Sequence, residues 1–328
     1  LDDYQDDPMA PGAVPAAPGC PATPQAHHKT QETLPMTLPL HDPAWLERMY
    51  NNRALVPDHM DYLDRWAQDS AQVRANLPCV LDIPYGTGPG ETLDVFAPVH
   101  AQVSPVPVLV FIHGGYWRSL DKSDHSFVAP SFTQAGFCVV VVNYALCPGT
   151  PDAPVTIPHI VRQMEKALGW VAQNIAGHGG DARRITVAGH SAGGQLAAML
   201  LTSLWPLIGH GLPDGLVRSA LSISGIHDLE PVMHTPMYQS VLHITEQQVL
   251  QVSPARLPAP QRGVLFCVVG GDESAEFIRQ NHLMQDAWGS HFVPRSQSLP
   301  GLNHFSVVDA LAKPGHELHQ MALNLLRA

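Results

Sequence analysis

A succession of short, unbroken apolar runs governs what this chain can fold into: residues 108–112, 137–142, 185–188, 220–226 and 264–269, each followed by a stretch with helical patterning. The runs are too short for helices and rich in β-branched residues, which suits strands buried on both faces of a parallel sheet. Between them, Ile160, Met164, Leu168, Val171 and Ile175 recur as the apolar stripe of one helix. Ahead of them, residues 79–85 and 92–96 flank the turn-rich Gly86-Thr87-Gly88-Pro89-Gly90 and read as an antiparallel hairpin. Strand–helix alternation over more than 200 of the 328 residues predicts an α/β fold, a mostly parallel central sheet with helices on both faces.

Composition narrows the function classes. Apolar residues make up 45% of the chain, enough for a sizeable core. Charged residues are only 14%, and 18 Lys+Arg against 29 Asp+Glu leave a net charge of −11. Proteins that neutralise phosphates show basic patches, so no nucleic-acid partner is expected. No run approaches the roughly 18 apolar residues of a membrane span, so none is expected. The five cysteines form no CxxC pair, and the 19 histidines form no HExxH pair, so no metal site is expected. Cys138 and Cys267 fall inside apolar runs as small hydrophobes, and a reducing, cytoplasmic setting is the expectation. The chain begins at Leu1, read as a processed end, with no signal peptide in view.

Residues 1–40 are rich in Pro and Ala without periodicity and are expected to form a flexible arm, or one that packs over a neighbouring subunit. A single domain then spans 41–328. Asp42-Pro43 and Pro57-Asp58 are helix-entry signals. After the second, Met60, Leu63, Trp66, Ala67 and Val73 predict a buried helix face.

Three motifs carry chemistry. Gly189-His190-Ser191-Ala192-Gly193-Gly194 follows a strand and precedes a helix, the context in which G-x-S-x-G forms a sharp turn exposing a nucleophilic serine. His113-Gly114-Gly115-Tyr116-Trp117 follows another strand, where a glycine-rich loop can present amides to an oxyanion. The expected donors are the amides of Gly115, Tyr116 and Ala192. Tyr116 and Trp117 are either packing residues or lining for a substrate pocket, Trp117 being the candidate named. A serine hydroxyl needs a base, and the base needs an orienting acid. Asp272 follows the strand run 264–269, and His304 lies in Pro300-Gly301-Leu302-Asn303-His304-Phe305, giving the order Ser191, Asp272, His304. Glu273 and Glu276 are neighbours passed over for Asp272, and Asp228 is a lesser alternative. The irregular stretch 227–253 is either a pocket wall or a surface excursion.

Together HGGYW, GHSAGG, GGDES and NHF resemble the arylformamidase (kynurenine formamidase) branch of the α/β-hydrolase superfamily, from about residue 45 to the C-terminus. Related hormone-sensitive-lipase-like esterases usually have a third glycine where Tyr116 stands. They also have Tyr-Arg-Leu-Ala-Pro where this chain has Asn143-Tyr144-Ala145-Leu146-Cys147-Pro148. The resemblance implies an α/β-hydrolase fold and a Ser191–Asp272–His304 triad with no metal or organic cofactor. It further implies a small-molecule ester or amide substrate cleaved through an acyl-enzyme. Two alternatives stand beside it: a carboxylesterase on short-chain or aryl esters with no formamidase role, and a non-catalytic binding protein of the same fold.

Overall fold

The computed structural model describes residues 39–100 and 104–328; the expected arm, up to residue 38, lies outside the described residues. Eight strands form one sheet: β1 (Cys79–Pro84), β2 (Thr92–Phe96), β3 (Val106–Ile112), β4 (Cys138–Val142), β5 (Gly180–His190), β6 (Val217–Ile223), β7 (Val264–Gly270) and β8 (Arg295–Leu299). Their order is β1-β2-β4-β3-β5-β6-β7-β8. The β1–β2 hairpin and the β2–β4 pair are antiparallel, and every other pairing is parallel.

The central strands are buried on both faces because their side chains alternate between two apolar cores. Val108, Val110 and Ile112 of β3 and Cys138, Val140 and Val142 of β4 enter one core. Leu109, Phe111, Val139 and Val141 enter the other. Helices α3 (Ile157–Asn174), α4 (Ala192–Thr202) and α8 (Ala275–Phe292) cover the first core. Helices α2 (His59–Asn76), α9 (Ser306–Ala312) and α10 (Glu317–Arg327) cover the second. Each fully buried Val or Leu contributes roughly 1.5–3 kcal/mol, so these two layers hold the sheet.

Two readings from the sequence need correction. The stripe on α2 is shallower than its spacing suggests: Trp66 is buried, but Met60 is 50% exposed. The stretch 227–253 is not irregular but holds α5 (Glu230–Met233), α6 (Pro236–Leu242) and α7 (Glu246–Val252). The segment at 43–50 is α1 (Pro43–Tyr50), capped by the Asp42 side chain at the amides of Ala44 and Trp45. Among the described residues no helix is long and apolar enough to cross a membrane.

Register sets up the site. Ile112 pairs with Gly189, His190 with Ile223, and Ile223 with Val268. The carboxyl ends of β3, β5, β6 and β7 are therefore aligned, and the loops leaving them meet at one edge, where parallel sheets build their sites.

Candidate active site

Ser191 occupies the turn between β5 and α4 with φ 55° and ψ −117°, a left-handed conformation that a non-glycine residue adopts only under constraint. Its amide donates to the Ile223 carbonyl at 2.8 Å. The turn is tight enough that a Cβ on Gly189 would lie 2.0 Å from the Gly193 oxygen. Ser191 is 1% exposed, and its hydroxyl makes no hydrogen bond among the described residues.

The loop after β3 lies directly against this turn: a Cβ on Gly114 would stand 2.9 Å from the His190 oxygen and 3.1 Å from Ser191 Cβ. The loop's carbonyls are fastened away from the serine. Tyr144 Oη donates to the carbonyls of His113 (2.9 Å) and Gly114 (3.1 Å). The Gly115 carbonyl accepts from the amides of Arg118 and Ser119 and from Ser119 Oγ. Gly115, Tyr116 and Trp117 all have positive φ. The amides of Gly115, Tyr116 and Ala192 donate to no acceptor among the described residues. Asn143 braces the loop from β4, accepting from His113 Nε2 at 3.0 Å and donating to Asp121 at 2.7 Å.

His304 Nδ1 donates to Glu273 Oε2 at 2.6 Å. The other oxygen of that fully buried carboxylate accepts from the Gly270 amide (2.7 Å) and from Ser224 Oγ (2.5 Å). Asp272, the acid expected from the sequence, is exposed and contributes only its amide, to the Leu302 carbonyl. The turn after β7 is the reason. The Glu273 amide closes back onto the Gly270 carbonyl at 3.2 Å, which brings the residue after Asp272 under the histidine loop. Glu276 instead bonds Tyr50 and Arg279, and Asp228 pairs with Arg256. No motif points to Ser224, whose positive φ just after β6 accompanies a hydroxyl bonded to Glu273.

His190 joins the serine turn to the His304 loop. It is buried, and burial, with His304 and His125 nearby, holds its pKa well below the usual imidazole range. It is therefore neutral, with Nε2–H donating to the His304 carbonyl at 2.9 Å.

Ser191 and His304 border one cavity, with Gly115, Tyr116, Met237 and Tyr238 around it and Arg53 and Arg118 among its lining. The stretch 227–253 thus contributes part of the wall, through Met237 and Tyr238 on α6. Trp117 does not line this cavity. It is fully buried in the first core, with Nε1 donating to Gln195 Oε1 at 3.1 Å. Tyr116 faces the cavity instead and stacks on Tyr238 at 4.0 Å between ring centroids. Both hydroxyls donate to the Tyr50 carbonyl at the end of α1. Arg53, Arg118 and Tyr238 had no motif to reveal them, because they come from separate segments that only the fold assembles.

A kynurenine formamidase from Danio rerio is 30% identical over 263 residues, covering 78% of this chain and 84% of that protein. The chain belongs to the kynurenine formamidase family. A kynurenine formamidase from Salmo salar is 29% identical over 291 residues, covering 86% of this chain and 92% of that protein. The BD-FAE family model matches residues 93–205, a span holding the β3 loop and the serine turn but neither Glu273 nor His304. A solved structure of a candidate thioesterase from Silicibacter sp. TM1040 superposes with a TM-score of 0.73 at 29% identity, covering 86% of this chain and 99% of that one. The fold is that of the α/β-hydrolases, and this member of the kynurenine formamidase family is a hydrolase.

Proposed function

We propose that this protein cleaves aryl formamides and short aryl esters through an acyl-enzyme. Ser191 is the nucleophile, His304 the base, Glu273 the orienting acid, and the amides of Gly115, Tyr116 and Ala192 the oxyanion donors. One observation carries the reading. Glu273 holds His304 at Nδ1, so Nε2 is the nitrogen left to serve a serine hydroxyl that is buried without a partner on the same cavity. His304 takes the proton as Ser191 Oγ adds to the carbonyl, and the tetrahedral oxyanion meets amides whose acceptor positions are open. The protonated ring then gives its proton to the departing arylamine or alcohol. Water repeats the sequence on the acyl-enzyme, releasing formate from a formyl group and a carboxylic acid from an ester.

The cavity supports a charged leaving group. Among the described residues neither Arg53 nor Arg118 has an ion-pair partner, and the Arg118 guanidinium lies over the Tyr238 ring at 5.2 Å. Two cations at the cavity, one of them over an aromatic ring, suit an aryl formamide that carries a carboxylate, in line with the name of the relatives. The unpaired state of the described cysteines, Cys79, Cys138, Cys147 and Cys267, supports a reducing, cytoplasmic setting.

The test compares kcat/KM for N-formyl-kynurenine, formanilide and p-nitrophenyl acetate in wild type, Ser191→Ala and Arg118→Met. Ser191→Ala is expected to lower kcat on all three by about 10³ or more. Arg118→Met is expected to raise KM about tenfold for the carboxylated substrate alone. Full activity in Ser191→Ala would reject the mechanism. A wild-type preference for the neutral ester would leave a carboxylesterase.

A further inference from the structure

Away from the catalytic cavity, His41, Glu230 and His234 each turn one donor atom toward a common point, and these atoms all lie within 4.8 Å of one another. We propose that this trio binds a divalent transition-metal ion, Zn²⁺ being the reference case, and that the ion fastens the segment before α1 to the cap helices α5 and α6.

The local structure explains the convergence. Glu230 opens α5 and His234 follows its end, and a spacing of four residues puts both side chains on one helical face. His41 precedes the Asp42 cap of α1, and α1 packs against α5. The His41 and His234 rings meet edge to face, with centroids 5.1 Å apart at 78°. Neither imidazole is hydrogen-bonded among the described residues, so nothing competes for the nitrogens. Arg256 engages Glu230 through Oε2, leaving Oε1 available. Arg256 also spans both oxygens of Asp228 at 2.8 and 3.2 Å. Two carboxylates against one guanidinium leave the locality with a net negative charge, which favours a cation over a second arginine or lysine side chain.

The donor chemistry selects the ion. Two imidazoles and one carboxylate suit Zn²⁺, Co²⁺ or Ni²⁺, whereas Mg²⁺ and Ca²⁺ demand oxygen ligands throughout. Zn²⁺ holds N and O donors at about 2.0–2.2 Å, so the three must close by roughly 1 Å, a movement within reach of surface side chains. Water completes the coordination. Because α6 begins two residues after His234 and carries Met237 and Tyr238 into the catalytic cavity, the ion would steady the cap without entering the chemistry. This inference does not depend on the proposed substrate.

The test uses the full chain after EDTA treatment and dialysis, titrated with ZnCl₂ by calorimetry and with CoCl₂ by visible absorption. Wild type is expected to bind one ion with a tetrahedral Co²⁺ band and to gain thermal stability on adding Zn²⁺. His41→Ala, His234→Ala and Glu230→Gln are each expected to weaken that site by about tenfold or more and to lose the band. His41→Gln serves as a second variant, and circular dichroism confirms the fold of each. Wild-type affinity and band retained in these variants, through any of the seventeen other histidines, would overturn the proposal. So would the absence of both signals in wild type.

Discussion

Glu273 reaches His304 because its carboxylate is satisfied from two further directions, by the Gly270 amide and the Ser224 hydroxyl. A carboxylate so held fixes the ring's tautomer and orientation, the property an orienting acid needs. Glu273→Gln is therefore expected to lower kcat by about 10³–10⁴ with little change in KM. Asp272→Asn, altering an exposed neighbour, is expected to stay within a few-fold of wild type in the same steady-state assay. Equal losses in the two would refute the assignment. His190 is expected to act as a positioning residue, because its Nε2–H holds the carbonyl of His304, the proposed base. His190→Phe is expected to lower kcat about 10–100-fold through misplacement of His304. His190→Gln, whose amide can donate to the same carbonyl, should recover most of the loss; a loss equal to that of the Phe variant would show that only ring packing matters. The serine turn and the histidine loop were legible in the sequence because each carries a distinctive motif. The carboxylate that His304 bonds was not, because Asp272 and Glu273 follow the same strand. The choice between them depends on a backbone turn and on Ser224, contributed by a different strand.

At the scale of elements, the Tyr116 loop joins three segments. Its aromatic ring stacks on α6, and its hydroxyl shares the Tyr50 carbonyl with that of Tyr238, while Asn52 donates to it at 3.2 Å. Two donors on one acceptor are not independent. Tyr116→Phe and Tyr238→Phe are each expected to cost about 1 kcal/mol, with the double variant departing from additivity by 0.5 kcal/mol or more. Urea midpoints of the four proteins measure this, and strict additivity would show that the shared carbonyl does not couple them. The elements that sequence patterning revealed are those with one unambiguous environment, such as β3 and β4, buried on both faces. Strand β8 reads RSQSL, largely polar, because it lies at the sheet's edge with one neighbour, so no apolar run marks it. Helices α5 to α7 span at most seven residues, less than the two full turns over which a helical stripe becomes recognisable. Trp117 misled for a related reason: adjacent positions in an irregular loop have no fixed facing, and the left-handed turn sends Tyr116 to the cavity and Trp117 to the core.

For the whole molecule, the buried histidines make folding depend on pH. Burial holds His190 well below the usual range, and it pushes His125 and His227 down to about 3, so these last two are neutral in the native state at pH 5. In the unfolded chain the same rings take up protons below about pH 6.5, so the unfolded state binds more protons and stability falls as pH falls. Each such histidine removes about 2 kcal/mol by pH 5, a large share of the roughly 5–15 kcal/mol that holds a typical domain. Glu91 acts in a lower window. For Glu91 burial opposes ionisation, but the bonds from Lys166 and the Gly88 amide hold its carboxyl below the ordinary value, and its contribution is lost only below about pH 4.5. Between pH 8 and 5 the buried histidines therefore contribute a loss of stability as pH falls. His125 is a suitable probe, since its ring lies among Trp66, Phe111 and Phe127, where another aromatic side chain fits, and its Nε2 has no hydrogen-bond partner among the described residues. His125→Phe forfeits the Nδ1 bond to the Asp121 carbonyl and is expected to be less stable at pH 8. Its loss of stability between pH 8 and 5, followed by urea unfolding, should nonetheless be about 2 kcal/mol smaller than in wild type. Parallel curves for the two proteins would mean that His125 takes up its proton in the native state, contrary to the burial that defines its place in the core.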